Sequence, residues 1–73
     1  MSKVNILTKE LFNYKYPKAV EPVNGKYTNL PKEKFLVKTA NGYTAIDNTT
    51  GNYWTEDFKD KYDALKWLNY KEY

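Results

Sequence analysis

The chain contains no cysteine, no histidine and no arginine. Without cysteine there is no disulfide scaffold and no thiol chemistry. With histidine also missing, zinc and the other transition metals lose their usual ligands. The nucleophile–histidine pairs of covalent catalysis go with them. A catalyst built from this chain would have only carboxylates, lysine and tyrosine, and its nine acids are scattered with no pair that stands out. The expectation is a protein that is not an enzyme and that uses no cofactor and no metal. The lack of arginine removes the bidentate fork that reads guanine edges and grips phosphates. Lysines alone still neutralise a phosphate backbone as point charges. No apolar run approaches the ~18 residues that a membrane helix needs, and the opening MSKVNILTK has no apolar signal region.

What the chain does have is lysine and tyrosine. Seventy-three residues predict one small domain with a thin core. An aromatic content of 18%, eight of the residues tyrosine, offsets the small size, because each ring removes much area from water. All twelve basic residues are lysine, and the net charge is +3. The charge is uneven: residues 1–38 carry +5 and residues 39–73 carry −2.

Local patterning predicts an α+β fold: a three-stranded antiparallel meander over about 35–40, 43–48 and 52–57, followed by a helix over about 61–69. Asn41-Gly42 is a strong hairpin signal. With those two residues as the turn, Ala40 faces Tyr43, Lys38 faces Ala45 and Val37 faces Ile46. Gly51, in a left-handed conformation, would close a three-residue loop with a bulge and pair Ile46 with Trp54. Phe35, Val37, Ile46 and Trp54 then share one sheet face. A four-residue loop would instead put Trp54 on the other face. Asp60 is a good N-cap, with Asp63 favoured by the helix dipole, and Phe58 can pack on the first turn. Ala64, Leu65 and Leu68, flanked by Tyr62 and Trp67, form the helix's apolar stripe, predicted to pack on the Phe35 face.

The first 34 residues predict a short helix and then irregular, extended chain. Leu7, Leu11 and Tyr14 form a helical stripe within residues 7–16 that Pro17 would stop. Phe12, Tyr14 and Tyr16 also recur at the period of a strand. Pro17, Pro22, Gly25 and Pro31 break up residues 17–34, where a short strand near Lys26–Leu30 is an option.

The second sheet face would then carry Leu36, Lys38, Tyr43, Tyr53 and Thr55, which is apolar for a surface facing solvent. The bland explanation is that the N-terminal segment folds over it. The functional one is a protein-binding surface anchored by Tyr43 and Tyr53, with Lys38 at its centre. Lys26, Lys32, Lys34 and Lys38, interleaved with tyrosines, are the alternative site, for nucleic acid: backbone neutralisation plus base stacking. A solvated lysine surface explains the same residues. Asp47, Glu56, Asp57 and Asp60 lack calcium-loop spacing and read as turn and cap acids. Asn48-Thr49-Thr50 fits a glycosylation acceptor pattern but reads as turn chemistry.

Residues 42–68, GYTAIDNTTGNYWTEDFKDKYDALKWL, resemble small uncharacterised proteins of Gram-positive phages and mobile elements. In those, a strand ending in IDNTTG precedes a W-x-E-x-F strand and a helix with an EA-x-x-WL run. The matching positions are Ile46–Gly51, Trp54, Glu56, Phe58, Asp63-Ala64 and Trp67-Leu68. The resemblance implies an accessory protein, cytoplasmic in the host bacterium, that binds a host or phage protein, for example as an inhibitor. Phe58, Ala64 and Trp67 are also similar to the end of the amino-terminal domain of phage-type integrases, whose sheet enters the DNA major groove. This chain departs from that family in having no arginine and in carrying Glu56 and Asp57 on the third strand.

Overall fold

The computed structural model describes residues 4–19 and 26–70, with only the backbone of Tyr70. Its elements are β1 (Val4–Thr8), α1 (Lys9–Lys15), β2 (Lys34–Thr39), β3 (Gly42–Asp47), β4 (Trp54–Phe58) and α2 (Lys61–Tyr70). The fold is α+β. The strands form one sheet in the order β1-β2-β3-β4. β2, β3 and β4 make the expected antiparallel meander. The addition is β1, which pairs parallel with β2, Ile6 opposite Leu36, and makes the sheet four-stranded and mixed.

Thr8 divides β1 from α1. Its hydroxyl accepts a hydrogen bond from the Leu11 amide at 3.1 Å, an N-cap. Glu10 in the first turn and Lys15 in the last suit the helix dipole. The helix stops before Pro17, as expected, with Tyr16 N–H donating to the Phe12 carbonyl. Its start and its inner face differ from the expectation. Leu7 belongs to β1, Leu11 and Tyr14 are exposed, and Phe12 is the buried side chain. A seven-residue helix has room for one inward anchor, and the largest apolar ring takes it. The option of a strand at 26–30 is realised only as an isolated bridge at Tyr27. The extended reading of Pro22 and Gly25 falls outside the described residues.

Both faces of β2 and β3 are covered. On the front face, Phe35, Val37 and Ile46 meet Phe12, Ala19 and Leu30. Phe12 and Tyr16 stand edge-on to Phe35, with ring centroids 6.4 and 5.6 Å away. On the back face, Leu36 and Ala45 meet Ala64 and Leu68 of α2. The helix therefore packs on the opposite face from the one expected. Two facing alanines, Ala45 and Ala64, are both fully buried and allow helix and sheet to approach closely. The bulky front-face residues are left to the aromatic cover from residues 12–30. The α2 start is as expected: the Asp60 carboxylate accepts from Tyr62 N–H at 2.7 Å.

Strand register explains the rest of the difference. β2 and β3 pair with Lys38 opposite Tyr43 and Phe35 opposite Ile46, two residues from the expected register. A two-residue shift leaves every side chain on its face. The turn residues are Ala40 and Asn41, while Gly42 (φ +155°) already pairs in the strand. A Cβ on Gly42 would run into the Phe58 carbonyl oxygen, so β4 approaches the backbone here as only glycine permits. β3 and β4 pair with Ile46 opposite Thr55 and Asp47 opposite Trp54. That is one residue from the expected register and it flips the strand: Trp54 faces the α2 side, half exposed, and Thr55 takes the Phe35 face. Gly51 is left-handed (φ +85°) as expected, but Tyr53 is left-handed too (φ +54°), and the connection runs from 48 to 53.

Truncating the true anchor of α1 will separate the two readings of that helix. Phe12→Ala should destabilise the protein by about 3–5 kcal/mol, and Leu11→Ala by less than about 1 kcal/mol. Urea denaturation of both variants measures the difference.

Candidate functional site

The connection between β3 and β4 builds the most distinctive surface of the molecule. It is held by two adjacent side chains. The Asp47 carboxylate accepts from the Thr49 amide at 3.0 Å and from its hydroxyl at 2.7 Å. Asn48 is buried, and all its groups are used. Its amide N–H donates to the Glu33 carbonyl, its side-chain NH₂ to the carbonyls of Leu30 and Pro31, and its side-chain oxygen accepts from Tyr53 N–H at 3.3 Å. Its carbonyl accepts from Gly51 N–H. Asn48 thereby ties the chain entering β2 to the end of β3. In the fold the Asn48-Thr49-Thr50 run has a turn role, with Thr49 bonded to Asp47 and the Asn48 carbonyl to Gly51 N–H.

Tyr53 is the consequence. A left-handed backbone at a bulky, non-glycine residue costs about 1–2 kcal/mol. The bond to Asn48 and the Leu30 amide donating to the Tyr53 hydroxyl at 3.1 Å offset this. The effect is to turn the Tyr53 ring toward the front face, where it lines an open cleft of about 440 Å³ with Lys26, Tyr27, Asn52 and Thr55. Tyr27 is held by an edge-on contact to Phe12 at 6.2 Å. Burial, with a smaller contribution from the Asp57 carboxylate, pushes the Tyr27 hydroxyl above its ordinary pKa of 10.0. Both rings are held in place, Tyr27 by Phe12 and Tyr53 by Asn48 and the Leu30 amide, with polar groups around them.

A second concavity, about 460 Å³, lies at the β2–β3 turn between Gly42, Tyr43, Asp57 and Phe58. Beside it, the Lys38 amine sits 5.0 Å from the centre of the Tyr43 ring, a cation–π contact.

The residues expected to form one protein-binding surface are divided by the fold. Leu36 is completely buried under α2 and offers no surface. Lys38 and Tyr43 lie on the α2 side of the sheet, whereas Tyr53 and Thr55 lie at the front. The cause is the one-residue difference in the β3–β4 register. Of the four lysines, two are taken out of the set. Lys34 is buried beside Asp47 in the β2–β3 pairing and is closed to phosphates. Lys38 is at the back, Lys32 lies near Gly51, and Lys26 is in the cleft. What the fold brings together is one residue pair from the first set and one lysine from the second: Tyr53, Thr55 and Lys26. Tyr27, which the sequence counts among the tyrosines interleaved with the lysines and not in the protein-binding set, joins them in the cleft.

Two of the four acids have the roles expected: Asp47 holds a turn and Asp60 caps α2. Glu56 and Asp57 are instead residues of β4, and Asp57 accepts from the Thr44 hydroxyl of β3 at 2.8 Å. Among the described residues no group of three or more acids could hold a metal ion. Among them, too, no helix is long and apolar enough to cross a membrane. No family model, no curated protein and no solved structure matches this chain.

The raised Tyr27 pKa makes a pH prediction. Its neutral form is favoured by folding, so that stabilisation is complete below the unfolded value near 10.0 and is lost as pH rises through the higher folded value. Tyr27→Phe should flatten the fall in thermal stability above pH 10.0. Melting curves across that range, with ultraviolet difference spectra of tyrosinate, check it.

Proposed function

We propose that this chain is a non-enzymatic binding module that captures a protein partner stoichiometrically through the Tyr27–Tyr53 cleft. The observation that carries the reading is Tyr53: a strained, left-handed tyrosine held at its amide by Asn48 and at its hydroxyl by the Leu30 amide, with its ring lining an open cleft. Strain of this kind persists only where the surroundings over-determine it, and it collects at functional sites. Tyrosines fixed before binding lose little entropy on contact and supply large amphipathic area. The cleft suits a loop that presents an apolar side chain to the two rings, with its backbone or an acidic group meeting Asn52, Thr55 and Lys26. The resemblance to small phage and mobile-element proteins supplies the setting: a host or phage protein as target, inhibition as the outcome, and the bacterial cytoplasm as the place.

Nucleic acid is the weaker reading, because Lys34 is buried and Lys38 lies on the other side of the sheet from the cleft that Lys26 lines.

Affinity capture from a Gram-positive lysate, with and without nuclease, tests the proposal. A stoichiometric protein should survive nuclease treatment. Thr55→Lys, at an exposed position beside the cleft, and Tyr53→Asn, which tolerates the left-handed backbone but lacks the ring, should each weaken capture at least about tenfold. Unchanged capture by both variants, or capture that vanishes with nuclease, contradicts the cleft as a protein site.

A further inference from the structure

Residues 26–31 form a strap over the front face, with no helix or strand beyond the bridge at Tyr27. The strap is fastened on two sides. On the α1 side, Thr28 N–H donates to the Ala19 carbonyl at 2.7 Å, and the Asn29 side chain donates to the Lys18 carbonyl at 3.1 Å. On the other side, the Leu30 amide donates to the Tyr53 hydroxyl, and the carbonyls of Leu30 and Pro31 accept from the Asn48 side chain. The Leu30 side chain is buried in the front core. Each fastening includes a left-handed residue. Among the described residues, the non-glycine positions with positive φ are Asn29 (+58°), just before Leu30, and Tyr53 (+54°), which receives the Leu30 amide. The next bond along, Asn48 N–H to the Glu33 carbonyl, adjoins the pairing of Lys34 with Asp47 and belongs to the sheet.

We infer that the strap is a latch, closed at Leu30, that opens as one unit while the sheet and α2 stay folded, and that the cleft exists only while the latch is closed. The fastenings are side-chain bonds and isolated backbone bonds, not rungs of a ladder, so they break without unpairing a strand. Phe12 and Tyr16 keep their own contacts to Phe35, so the sheet retains a cover when the strap lifts. The two sides are coupled through Leu30. Releasing it removes one of the two bonds that offset the left-handed Tyr53 and deprives the Asn48 side chain of a carbonyl. Releasing Asn29 loosens the residue that sets how the chain enters Leu30. Opening takes the cleft apart because its walls come from both sides: Lys26 and Tyr27 from the strap, Asn52, Tyr53 and Thr55 from the connection and β4. A ligand gripped between the two rings binds the closed latch alone and shifts the equilibrium toward it. That regulatory consequence rests on the cleft as the binding site; the opening itself does not.

Amide hydrogen exchange on the free chain tests the latch. The amides of Thr28, Leu30 and Tyr53 should exchange through one shared opening. They should exchange faster than those of Phe35, Leu36 and Val37, and faster than Asn48, whose amide belongs to the sheet. Two variants probe the coupling from opposite sides. Tyr53→Phe keeps the ring and removes the acceptor of the Leu30 amide. It should raise exchange at Thr28, on the far side of the strap, by about fivefold. Asn29→Ala removes the bond to Lys18 and should raise exchange at Tyr53 by a similar factor. Neither should change the amides of Phe35, Leu36 and Val37. Acceleration confined to the residues beside each substitution, or acceleration of residues 35–37 to the same extent, overturns the inference. No partner is present in this experiment, so its result is separate from whether the cleft captures a protein.

Discussion

The middle of the sheet is apolar on both sides, and everything else in the molecule answers that constraint. Phe35, Leu36 and Val37 run consecutively, buried above and below the sheet. A strand of this kind cannot sit at an edge with one face in water. It needs neighbours on both sides and a cover on both faces. β1 supplies the second neighbour, α2 the back cover, and Phe12, Tyr16, Tyr27 and Leu30 the front one. Pro17 stops the first helix early, so the front cover is a seven-residue helix followed by irregular chain at 16–19 and 26–33. Aromatic rings make up the missing volume.

A strap has few backbone partners of its own, so its polar groups must be satisfied from elsewhere. Asn48 does much of this, donating to Leu30 and Pro31 while positioning Tyr53. The candidate site is thus a by-product of closing the front face. The hydrogen bonds that seal the core also turn Tyr53 toward Tyr27. Folding and the shape of the cleft depend on the same few contacts, and this links the strain at Tyr53 to the surface proposed for binding.

The legible parts of the fold were those with local chemistry. Gly51 announced a left-handed turn, Asp60 a cap, Pro17 a stop, and Ala64 with Leu68 a buried stripe; each is found in place. β1 was hidden because its Leu7 also completes a helical spacing with Leu11 and Tyr14, and nothing but Thr8 marks the boundary. The face of α2 was hidden because both sheet faces are apolar, so patterning favours neither. The cleft was hidden for a sharper reason. A left-handed tyrosine has no sequence signal, and that one residue of turn geometry decides which side of the sheet receives Trp54 and which receives Thr55. Its other wall, Tyr27, lies far away in the chain, so no local pattern joins it to Tyr53.

The most direct test of this account is amide hydrogen exchange with cross-strand proton contacts by NMR. If β1 completes the sheet, the amides of Phe35, Leu36 and Val37 should be among the slowest to exchange. Parallel contacts should connect Asn5 with Phe35 and Ile6 with Leu36. Fast exchange at alternate β2 amides, with no contact from residues 4–8, would make β2 an edge strand of a three-stranded sheet and contradict the account.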